Sequence, residues 1–398
     1  MRGRKVKFLV LGAGRIGYAI VYDLIRSPRV EQVIIADKDV KRLEFIKKRL
    51  PDEKVVPVEL DVTKTEELLE LMLRCDVAIG CTGYAHNYEL AKAALSAKIH
   101  FCDLGGNEKI ASQEFKLDEI AKEQDIAIIP NLGLAPGLVS ILAAAAADGL
   151  DELYEIRVRV GGVPAEPEEP LNFAQYTSVD GLVNEYVEDA TIIRDGKVFR
   201  VPSLTDVEEI EFPKPFGKLE AFHASGGIST LPKTYLGKVQ HLDYKAVRYP
   251  GHCAQMMAIK HLGLMSSDTL DVNGSKVVPR RVLQALLEKN LVKDDSDVVL
   301  LRVTVTGIKA QKPIQIIWEC IDYNEAAEGL TAMMRLTAYP ASIVAQMIAR
   351  GDIKERGVLL QEKSVPAKLF LAELAGRGIT LTMVEQEPSL PAERKLTI

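Results

Sequence analysis

The first 130 residues of the chain alternate short apolar runs with stretches in which apolar residues recur every three or four positions. The apolar runs predict strands near residues 5–11, 32–37, 54–59, 76–80, 99–102 and 126–130. The periodic stretches predict helices between them, such as those near residues 39–50, 64–74, 86–97 and 109–124. Since strands joined by helices form right-handed crossovers, we expect a doubly wound parallel sheet covered by helices on both faces.

The pattern changes after about residue 150, where apolar and polar residues alternate without regular intervening helices. Strands are expected near residues 154–163, 191–201, 221–231, 240–249, 299–308 and 314–322. This pattern predicts an α+β domain with a mainly antiparallel sheet. Helices are expected within 250–290, the first starting near His252 and a later one at 279–290, and again near 325–338, 340–350 and 365–376.

The first predicted strand leads directly into the glycine-rich turn Gly12-Ala13-Gly14-Arg15-Ile16-Gly17. A helix follows, and Asp37 ends the second strand 20 residues after Gly17. Strand, glycines, helix and acidic residue together form a dinucleotide-binding fingerprint. In that fingerprint Gly12 permits the tight turn, Gly14 lets the backbone approach a pyrophosphate, and Gly17 lets helix and strand pack closely. The alternative is a glycine-rich turn that binds no ligand.

The acidic residue of the fingerprint indicates which dinucleotide is bound. Asp37 is placed to accept hydrogen bonds from the adenosine ribose, and its charge would repel a 2′-phosphate. The predicted cofactor is therefore NAD rather than NADP. Lys38 and Arg42 follow closely and weaken this preference, because cations favour a phosphate.

Short peptides follow the later strands at the edge where doubly wound sheets bind their ligands. Thr82 and Gly83 open a predicted helix at that edge, which favours a cofactor contact. For Gly105 and Gly133, an equally weighted alternative is that they are ordinary turn residues. The full predicted cofactor-binding set is Gly12, Ala13, Gly14, Arg15, Ile16, Gly17, Asp37, Lys38, Asp61, Val62, Cys81, Thr82, Gly83, Leu104, Gly105 and Gly133.

The second half contains an arginine that closes a strand, a proline turn, and a histidine at a helix start: Arg248-Tyr249-Pro250-Gly251-His252. This order would place a bidentate carboxylate donor beside a titratable base. Taken alone, Arg248 is more often a surface ion-pair partner, and His252 more often a helix-capping residue.

Composition narrows the class of protein. The 398 residues are 47% hydrophobic and carry a net charge of −6, so no basic surface for nucleic acid or anionic membranes is indicated. The five cysteines form neither a disulfide framework nor a zinc pattern, and no metal site is expected. The apolar run near the N-terminus is interrupted by Gly12 and Gly14, unlike a secretory signal, and no later run reaches membrane-spanning length. We therefore expect a cytoplasmic protein with a small-molecule substrate.

The chain as a whole resembles the saccharopine reductase and lysine 6-dehydrogenase family. The residues that carry the resemblance are the glycine fingerprint, Asn131 to Gly137, Tyr176 to Leu182, Leu242 to His252, and Thr337 to Ser342. The short intervening region, and the pairing of His223 to Gly227 with Arg248 to His252, look most like the lysine 6-dehydrogenase members, those of archaea in particular.

The resemblance implies NAD-dependent oxidation at the ε-carbon of lysine, which yields ammonia and a semialdehyde that cyclises to 1-piperideine-6-carboxylate. It also implies a homodimer. Arg248 would bind the α-carboxylate, and Asp103 or His252 would act as the base, His252 being favoured for a near-neutral pKa and Asp103 for its expected position beside the nicotinamide. Further substrate contacts are expected from Tyr176, Thr177, Asn107 and His223.

Three segments follow from these patterns. Residues 1–135 are expected to form the Rossmann dinucleotide-binding domain, residues 136–330 the catalytic, substrate-binding and dimerisation domain, and residues 331–398 a C-terminal helical segment that packs back on the first domain. Two other functions are compatible with the sequence. One is a saccharopine or carboxynorspermidine dehydrogenase, and the other is an NAD-binding regulatory protein without turnover.

Overall fold

The computed structural model describes residues 5–176, 178–291 and 296–388. The chain forms two compact units. Unit 1 comprises Met1–Ile141 and Asn324–Ile379, and unit 2 comprises Leu142–Tyr323 and Thr380–Ile398. The return to the first unit thus begins at Asn324, and the chain joins the second unit again at Thr380.

Unit 1 is built on a parallel sheet that contains seven strands within the described residues. They are β1 (Val6–Leu11), β2 (Val30–Asp37), β3 (Val55–Glu59), β4 (Val77–Gly80), β5 (His100–Asp103), β6 (Ala127–Ile129) and β17 (Gly357–Val358). Their order is β17-β6-β5-β4-β1-β2-β3. The chain passes from β1 outward to β3 and then from β4 outward to β6, which is the doubly wound arrangement. The predicted fold class is confirmed for this part of the chain.

Helices cover the parallel sheet of unit 1. They are α1 (Arg15–Arg26), α2 (Val40–Arg49), α3 (Thr65–Met72), α4 (Asn87–Ala97), α5 (Glu108–Glu114), α6 (Asp118–Glu123), α12 (Ala332–Arg350), α13 (Gln361–Ser364) and α14 (Ala367–Gly376), with α7 (Leu138–Ala147) running from unit 1 into unit 2. The two helices predicted at 325–338 and 340–350 are wrong as separate elements, because the single helix α12 continues through Pro340 and is buried along most of its length. No helix of the described residues has the length and apolar character needed to cross a membrane.

A buried carboxylate joins the returning segment to the first helix of unit 1. Asp23 on α1 is 6% exposed and accepts hydrogen bonds from Ser342 (2.6 Å) and Gln346 (3.2 Å) of α12. Arg377, just after α14, donates to both oxygens of the same carboxylate, at 2.6 and 3.1 Å. A buried charge is tolerated when it is paired and hydrogen-bonded in this way. These contacts hold α12 and α14 against α1.

Unit 2 contains a mixed sheet, whose strands among the described residues are β7 (Glu152–Pro164), β8 (Ala190–Arg194), β9 (Lys197–Val201), β10 (Glu208–Phe212), β11 (Gly217–His223), β12 (His241–Arg248), β15 (Asp297–Lys309), β16 (Lys312–Tyr323) and β18 (Thr382–Gln386). The main order is β10-β11-β12-β7-β15-β16-β18. Its pairs are antiparallel except β12 with β7, which run parallel. A separate small hairpin consists of β13 (Leu270–Val272) and β14 (Ser275–Val277).

The helices of unit 2 are α8 (Val179–Val187), α9 (Leu231–Tyr235), α10 (His252–His261) and α11 (Pro279–Asn290). The predicted strand at 221–231 is largely wrong: β11 ends at His223, and turns lead from there into α9. Gly226 has a φ of +85° in these turns, a conformation that interrupts a strand. The predicted strand at 191–201 is the hairpin of β8 and β9.

Candidate active site

A cleft of about 340 Å³ lies at the carboxyl edge of the parallel sheet in unit 1. The residues that follow β1, β2, β3 and β4 line it, because parallel strands end at the same edge of a sheet. The cleft brings together nine of the residues that the sequence assigns to the cofactor: Gly12, Gly14, Asp37, Lys38, Asp61, Val62, Cys81, Thr82 and Gly83.

The three glycines of the fingerprint differ in their surroundings. Gly12 has a φ of +112°, and a Cβ there would lie 2.8 Å from the carbonyl oxygen of Cys81. A Cβ on Gly17 would overlap the carbonyl oxygen of Gly12. Gly14, in contrast, caps α1 without a side-chain hydrogen bond, and a Cβ there would meet no atom within 4 Å. The open space therefore lies at Gly14, beside the N-terminus of the helix.

Asp37 ends β2 with both carboxylate oxygens hydrogen-bonded to the backbone. Its Oδ2 accepts from the Ala13 N–H at 2.7 Å, and its Oδ1 accepts from the Asp39 N–H at 2.9 Å. These bonds hold the carboxylate at the rim of the cleft. Lys38 and Arg42 line the same cleft, so that one anion and two cations border the place where an adenosine ribose would bind.

The residues of the cleft fit a dinucleotide. The hydroxyl of Thr82 is buried, and it has no hydrogen-bond partner in the part of the chain that the structure describes. A buried hydroxyl without a partner is uncommon in proteins, and a ligand oxygen would satisfy it. The N-terminus of α1 next to the open space at Gly14 suits a pyrophosphate, because helix N-termini present unpaired N–H groups to anions.

The other residues assigned to the cofactor do not line this cleft: they are Ala13, Arg15, Ile16, Gly17, Leu104, Gly105 and Gly133. Ala13 and Gly17 are buried, and Arg15 is exposed at the start of α1. The Gly105 N–H donates to Asp103, and Gly133 packs close to the carbonyl of Pro136. The last two contacts are those of turn residues.

Asp103 closes β5 and has no solvent exposure. Its Oδ1 accepts hydrogen bonds from the Asn87 side chain (2.9 Å) and from the backbone N–H groups of Gly105 (2.6 Å) and Asn131 (3.2 Å). Glu114, on α5, is 1% exposed and hydrogen-bonds to the same carboxyl group. Asp103 therefore ties together the loops that follow β5 and β6.

Glu114 supplies a proton to this arrangement. Burial, together with the Asp103 carboxylate, raises the pKa of Glu114 to about 11, so that it stays protonated near neutrality. Burial also raises the pKa of Asp103, and the hydrogen bonds it accepts oppose that shift. Two adjacent buried carboxyl groups cannot both ionise, and the pair shares one proton.

In unit 2, Arg248 ends β12 and is 7% exposed. Its Nη1 donates to the Val247 carbonyl at 2.8 Å, and its Nε donates to the Tyr186 hydroxyl at 3.2 Å. The guanidinium carbon lies 5.0 Å from the centre of the Phe173 ring, within the range of a cation–π contact. Two hydrogen bonds and the contact with the Phe173 ring therefore hold the Arg248 guanidinium in place.

His252 is the first residue of α10 and is 1% exposed. Its Nδ1 lies 3.0 Å from the Leu171 carbonyl oxygen, which can only accept, so Nδ1 carries the proton. Its Nε2 then accepts from the Tyr186 hydroxyl at 3.0 Å. Burial and the nearby Arg248 lower the pKa of His252 to about 3. The expected near-neutral pKa is therefore wrong, since the buried ring disfavours its charged form.

The remaining expected substrate contacts have different positions. Tyr176 is 4% exposed and packs edge-on against Phe173, with ring centres 5.9 Å apart. Phe173 also contacts Arg248, so Tyr176 belongs to the same cluster as Arg248, Phe173, Tyr186 and His252. Thr177 lies outside the described residues. Asn107, in unit 1, caps α5 by accepting hydrogen bonds from two backbone N–H groups of its first turn.

His223 lies on the opposite face of the unit 2 sheet from Arg248. It pairs with Lys245 across β11 and β12, and residues three apart on a strand point to opposite faces. Its Nε2 is 3.7 Å from a carboxylate oxygen of Asp206 and 3.7 Å from one of Asp243. The structure therefore places His223 in a separate charged cluster and not beside Arg248 and His252.

Three residues that the sequence did not single out organise these clusters: Tyr186, Phe173 and Glu114. Tyr186 is fully buried on α8, four residues after the buried Leu182. That spacing is typical of an ordinary core position, so it carries no functional signal. Glu114 ends a short helix and shows no pattern that predicts its burial.

Comparison with known proteins agrees with this architecture. Residues 8–129 match the model of the saccharopine dehydrogenase NADP binding domain, and residues 133–379 match that of the saccharopine dehydrogenase C-terminal domain. The two models together span nearly the whole chain.

Two distant relatives match over nearly their whole length. A carboxynorspermidine synthase of Vibrio cholerae is 24% identical over 97% of this chain and 99% of its own. A carboxyaminopropylagmatine dehydrogenase of Synechocystis is 20% identical over 94% and 96%. The structure of saccharopine dehydrogenase (L-Glu forming) from Saccharomyces cerevisiae covers 96% of this chain and 100% of its own, with a TM-score of 0.79 and 19% identity, and shows the same fold.

Proposed function

The chain belongs to the saccharopine dehydrogenase family and is an NAD(P)-dependent oxidoreductase, and we propose that it oxidatively deaminates the ε-amino group of L-lysine with NAD. In this reaction the ε-carbon loses a hydride, water adds to the resulting iminium, and ammonia leaves. The semialdehyde then cyclises onto its own α-amino group, with loss of water, to give 1-piperideine-6-carboxylate.

The observation that carries this proposal is the state of Arg248 compared with that of the arginines on β7, the strand next to β12. Arg159 is held at both terminal nitrogens by Asp243, at 2.8 and 3.0 Å. Arg157 pairs with Glu155 at 2.9 Å. Arg248 differs, because the closest ion-pair partner recorded for it in the described chain is 3.8 Å away.

Among the described residues of unit 2, Arg248 is the buried arginine without a close ion pair, and one such arginine suits a substrate with a single carboxylate. Lysine has one, whereas saccharopine has three, and each buried carboxylate would need its own cationic or hydrogen-bonding partner. The guanidinium is suited to this task because it presents parallel N–H donors to the two carboxylate oxygens. This difference favours lysine over saccharopine as the substrate.

The residues around Arg248 would act by positioning. Once the α-carboxylate is held, the side chain of lysine extends from a fixed point, and the ε-carbon is presented at a set distance from it. Tyr186 and Phe173 keep the guanidinium in place. His252 holds Tyr186 in turn, so we assign to it a positioning role.

The cofactor in this proposal is NAD, held by the cleft of unit 1. Gly14 and the start of α1 would bind the pyrophosphate, and Asp37 would accept from the ribose hydroxyls. The chemistry that NAD supplies when bound is acceptance of the hydride. Thr82 would donate its unpaired hydroxyl to the ligand.

The ε-ammonium of lysine has an ordinary pKa of about 10.4 and must lose a proton before a hydride can leave. Asp103 and His252 are the bases that the sequence predicts, but each is buried, and both ring nitrogens of His252 are hydrogen-bonded. We propose instead that Asp103 organises loops and that lysine reacts as the neutral amine taken from solution. The rate should then rise with pH as the neutral fraction grows.

A second candidate is the reductive coupling of an amine with an aldehyde that carries one amino acid group. The full-length match to carboxynorspermidine synthase favours it, as does the fact that such a product also has a single carboxylate. The availability of one arginine does not separate this reaction from lysine oxidation.

A substrate panel separates these functions. The full chain is mixed with NAD or NADP and L-lysine, L-ornithine, 1,5-diaminopentane or saccharopine, and reduced cofactor is measured by absorbance. A second series supplies NADPH or NADH with a diamine and an amino acid semialdehyde. Lysine oxidation predicts reduced cofactor with L-lysine and not with saccharopine. Turnover in the second series alone would establish the coupling reaction, and tight NAD binding without any turnover would indicate a regulatory protein.

A further inference from the structure

Glu185 carries a carboxylate that lies beside Arg248 and accepts no hydrogen bond within the described residues. It lies on α8, directly before Tyr186, and its backbone carbonyl accepts from the Ser225 N–H at 3.0 Å. Its side chain is 41% exposed, and the carboxylate oxygen is 3.8 Å from Nη2 of Arg248. Within the described residues, no group donates a hydrogen bond to this carboxylate.

The surroundings of Glu185 are unfavourable for an unpaired negative charge. Burial raises the pKa of Glu185, and the Arg248 guanidinium opposes that rise only in part. Water reaches the carboxylate, yet enough protein surrounds it to disfavour its ionised form. A cation that made hydrogen bonds to this group would relieve that cost.

Arg248 has unused donors on the side that faces Glu185. Its Nε donates to Tyr186, and its Nη1 donates to Val247. Its Nη2 has no hydrogen-bond acceptor within reach among the described residues, and Glu185, at 3.8 Å, is too far for a direct bond. An unused cationic donor and an unused carboxylate therefore stand next to each other without bonding.

We infer that Glu185 and Arg248 form a clamp for the head group of an α-amino acid, in which Arg248 binds the α-carboxylate and Glu185 binds the α-ammonium. This inference rests on the proposed function for the presence of an amino acid at Arg248. The role of Glu185 is specificity: it selects ligands that carry an ammonium group next to their carboxylate.

The spacing of the two groups favours the α-ammonium over the ε-ammonium as the partner of Glu185. In lysine the α-nitrogen is two bonds from the carboxyl carbon, and the ε-nitrogen is six bonds away. If the α-carboxylate of the ligand bound Nη2 of Arg248, its α-nitrogen would lie beside the Glu185 carboxylate, which is 3.8 Å from Nη2. The extended side chain would carry the ε-nitrogen away from Glu185 and leave it free to react.

The clamp makes a prediction for ligands that cannot be oxidised at an ε-amine. L-Norleucine has the carbon chain and head group of lysine without the ε-amine, and hexanoate lacks both amines. The clamp should bind L-norleucine more tightly than hexanoate by about tenfold or more, since a charge-assisted hydrogen bond exceeds ~1.4 kcal/mol.

The experiment measures both affinities by isothermal titration calorimetry on the full chain with NAD present. The test variant is Glu185→Gln, and the matched control is Asp189→Asn, which removes an exposed carboxylate just beyond the end of the same helix. In Glu185→Gln the preference for L-norleucine should be lost while hexanoate binds as before. In Asp189→Asn the preference should stay as in the parent chain.

An unchanged preference in Glu185→Gln, or binding of neither ligand by the parent chain, would overturn the clamp. A merely structural role would weaken both ligands in parallel, which would also contradict it, and Glu185→Asp should retain part of the preference. Because neither ligand is deaminated at an ε-carbon, these results are independent of turnover. Absence of NADH formation from L-lysine with the preference intact would reject the proposed reaction and leave the clamp standing.

Discussion

Tyr186 donates its hydroxyl proton to Nε2 of His252 over 3.0 Å. The direction of this bond is set by the other ring nitrogen, which gives its proton to the Leu171 carbonyl. The same hydroxyl oxygen accepts from Nε of Arg248 at 3.2 Å. The Tyr186 hydroxyl is therefore hydrogen-bonded to both side chains and couples the orientation of the His252 ring to that of the Arg248 guanidinium. No hydrogen bond joins His252 and Arg248 directly in the described chain.

Replacing Tyr186 with Phe should therefore impair substrate binding at Arg248. A hydrogen bond to a charged group contributes ~1.5–3 kcal/mol, so we expect the KM for L-lysine to rise by about 10- to 100-fold. The affinity for NAD should not change, because the cofactor cleft contains no residue of this cluster. Steady-state kinetics and NAD titration measure the two effects.

Tyr249→Phe is the matched control for that variant. It removes a tyrosine hydroxyl that donates to the Pro164 carbonyl at 3.1 Å and does not contact Arg248. Its KM for L-lysine should remain close to that of the parent chain. If both phenylalanine variants changed KM equally, the link through Tyr186 would be refuted.

His252 should make the protein sensitive to acid. Its pKa is lowered to about 3 in the folded chain, whereas a histidine in the unfolded chain has a pKa of about 6.5. Between these values only the unfolded state takes up the proton, so the stabilising effect of neutral His252, complete above the unfolded pKa, is lost as the pH falls. Between pH 7 and 5 this loss amounts to about 2 kcal/mol of unfolding free energy.

His252→Gln removes the titrating group. Urea unfolding at pH 7 and pH 5 should show a smaller loss of stability for the variant than for the parent chain, by about 2 kcal/mol. Other histidines contribute equally to both proteins and cancel in the comparison. Equal losses in the two proteins would mean that His252 is not held neutral by burial. The shape of the pH–rate profile above pH 6 should be the same in both.

Asp37 should determine the choice between NAD and NADP. Its charge lies in a cleft that Lys38 and Arg42 also line, and those cations suit a 2′-phosphate once the carboxylate is gone. Asp37→Ser should raise the ratio of kcat/KM for NADP to that for NAD by about tenfold or more, equivalent to ~1.4 kcal/mol. Adding Lys38→Ala to this variant should reverse part of the gain. A ratio unaffected by Asp37→Ser would remove Asp37 from the ribose site.

Glu114 should stabilise unit 1 through the proton it shares with Asp103. Glu114→Gln keeps a donor in the same place, so its melting temperature should stay near that of the parent chain. Glu114→Ala leaves a buried carboxylate oxygen of Asp103 without its donor, at a cost of ~1–3 kcal/mol. Thermal unfolding measures both melting temperatures. An equal decrease in the two variants would show that the shared proton does not stabilise unit 1.

The fold of unit 1 was predictable because its strands and helices differ in period and are separated by clear breaks. The strand ends of β1, β2 and β5 fall within two residues of the expected positions. The prediction of two helices around Pro340 is wrong, because burial of α12 in the core outweighs the hydrogen bond that the proline removes. Local propensity gives way where tertiary packing is extensive.

The sequence predicts site residues only where residue type and spacing indicate a particular chemistry. The glycine fingerprint and Arg248 stand out by spacing and charge. Strand pairing cannot be read from the sequence in the same way, so the sequence pattern groups His223 with Arg248, although the register of β11 and β12 places them on opposite faces. The lowered pKa of His252 was also hidden, since it depends on burial and on Tyr186, which the sequence presents as an ordinary core residue.

The most direct test of the central claim follows the nitrogen that leaves L-lysine. The full chain is incubated with NAD and L-lysine labelled with ¹⁵N at the ε-position, and ammonia and the cyclic product are identified by mass spectrometry. We predict one labelled ammonia for each NADH formed and an unlabelled 1-piperideine-6-carboxylate. Unlabelled ammonia with the label kept in the product would mean oxidation at the α-carbon, and no NADH at all would contradict lysine oxidation altogether.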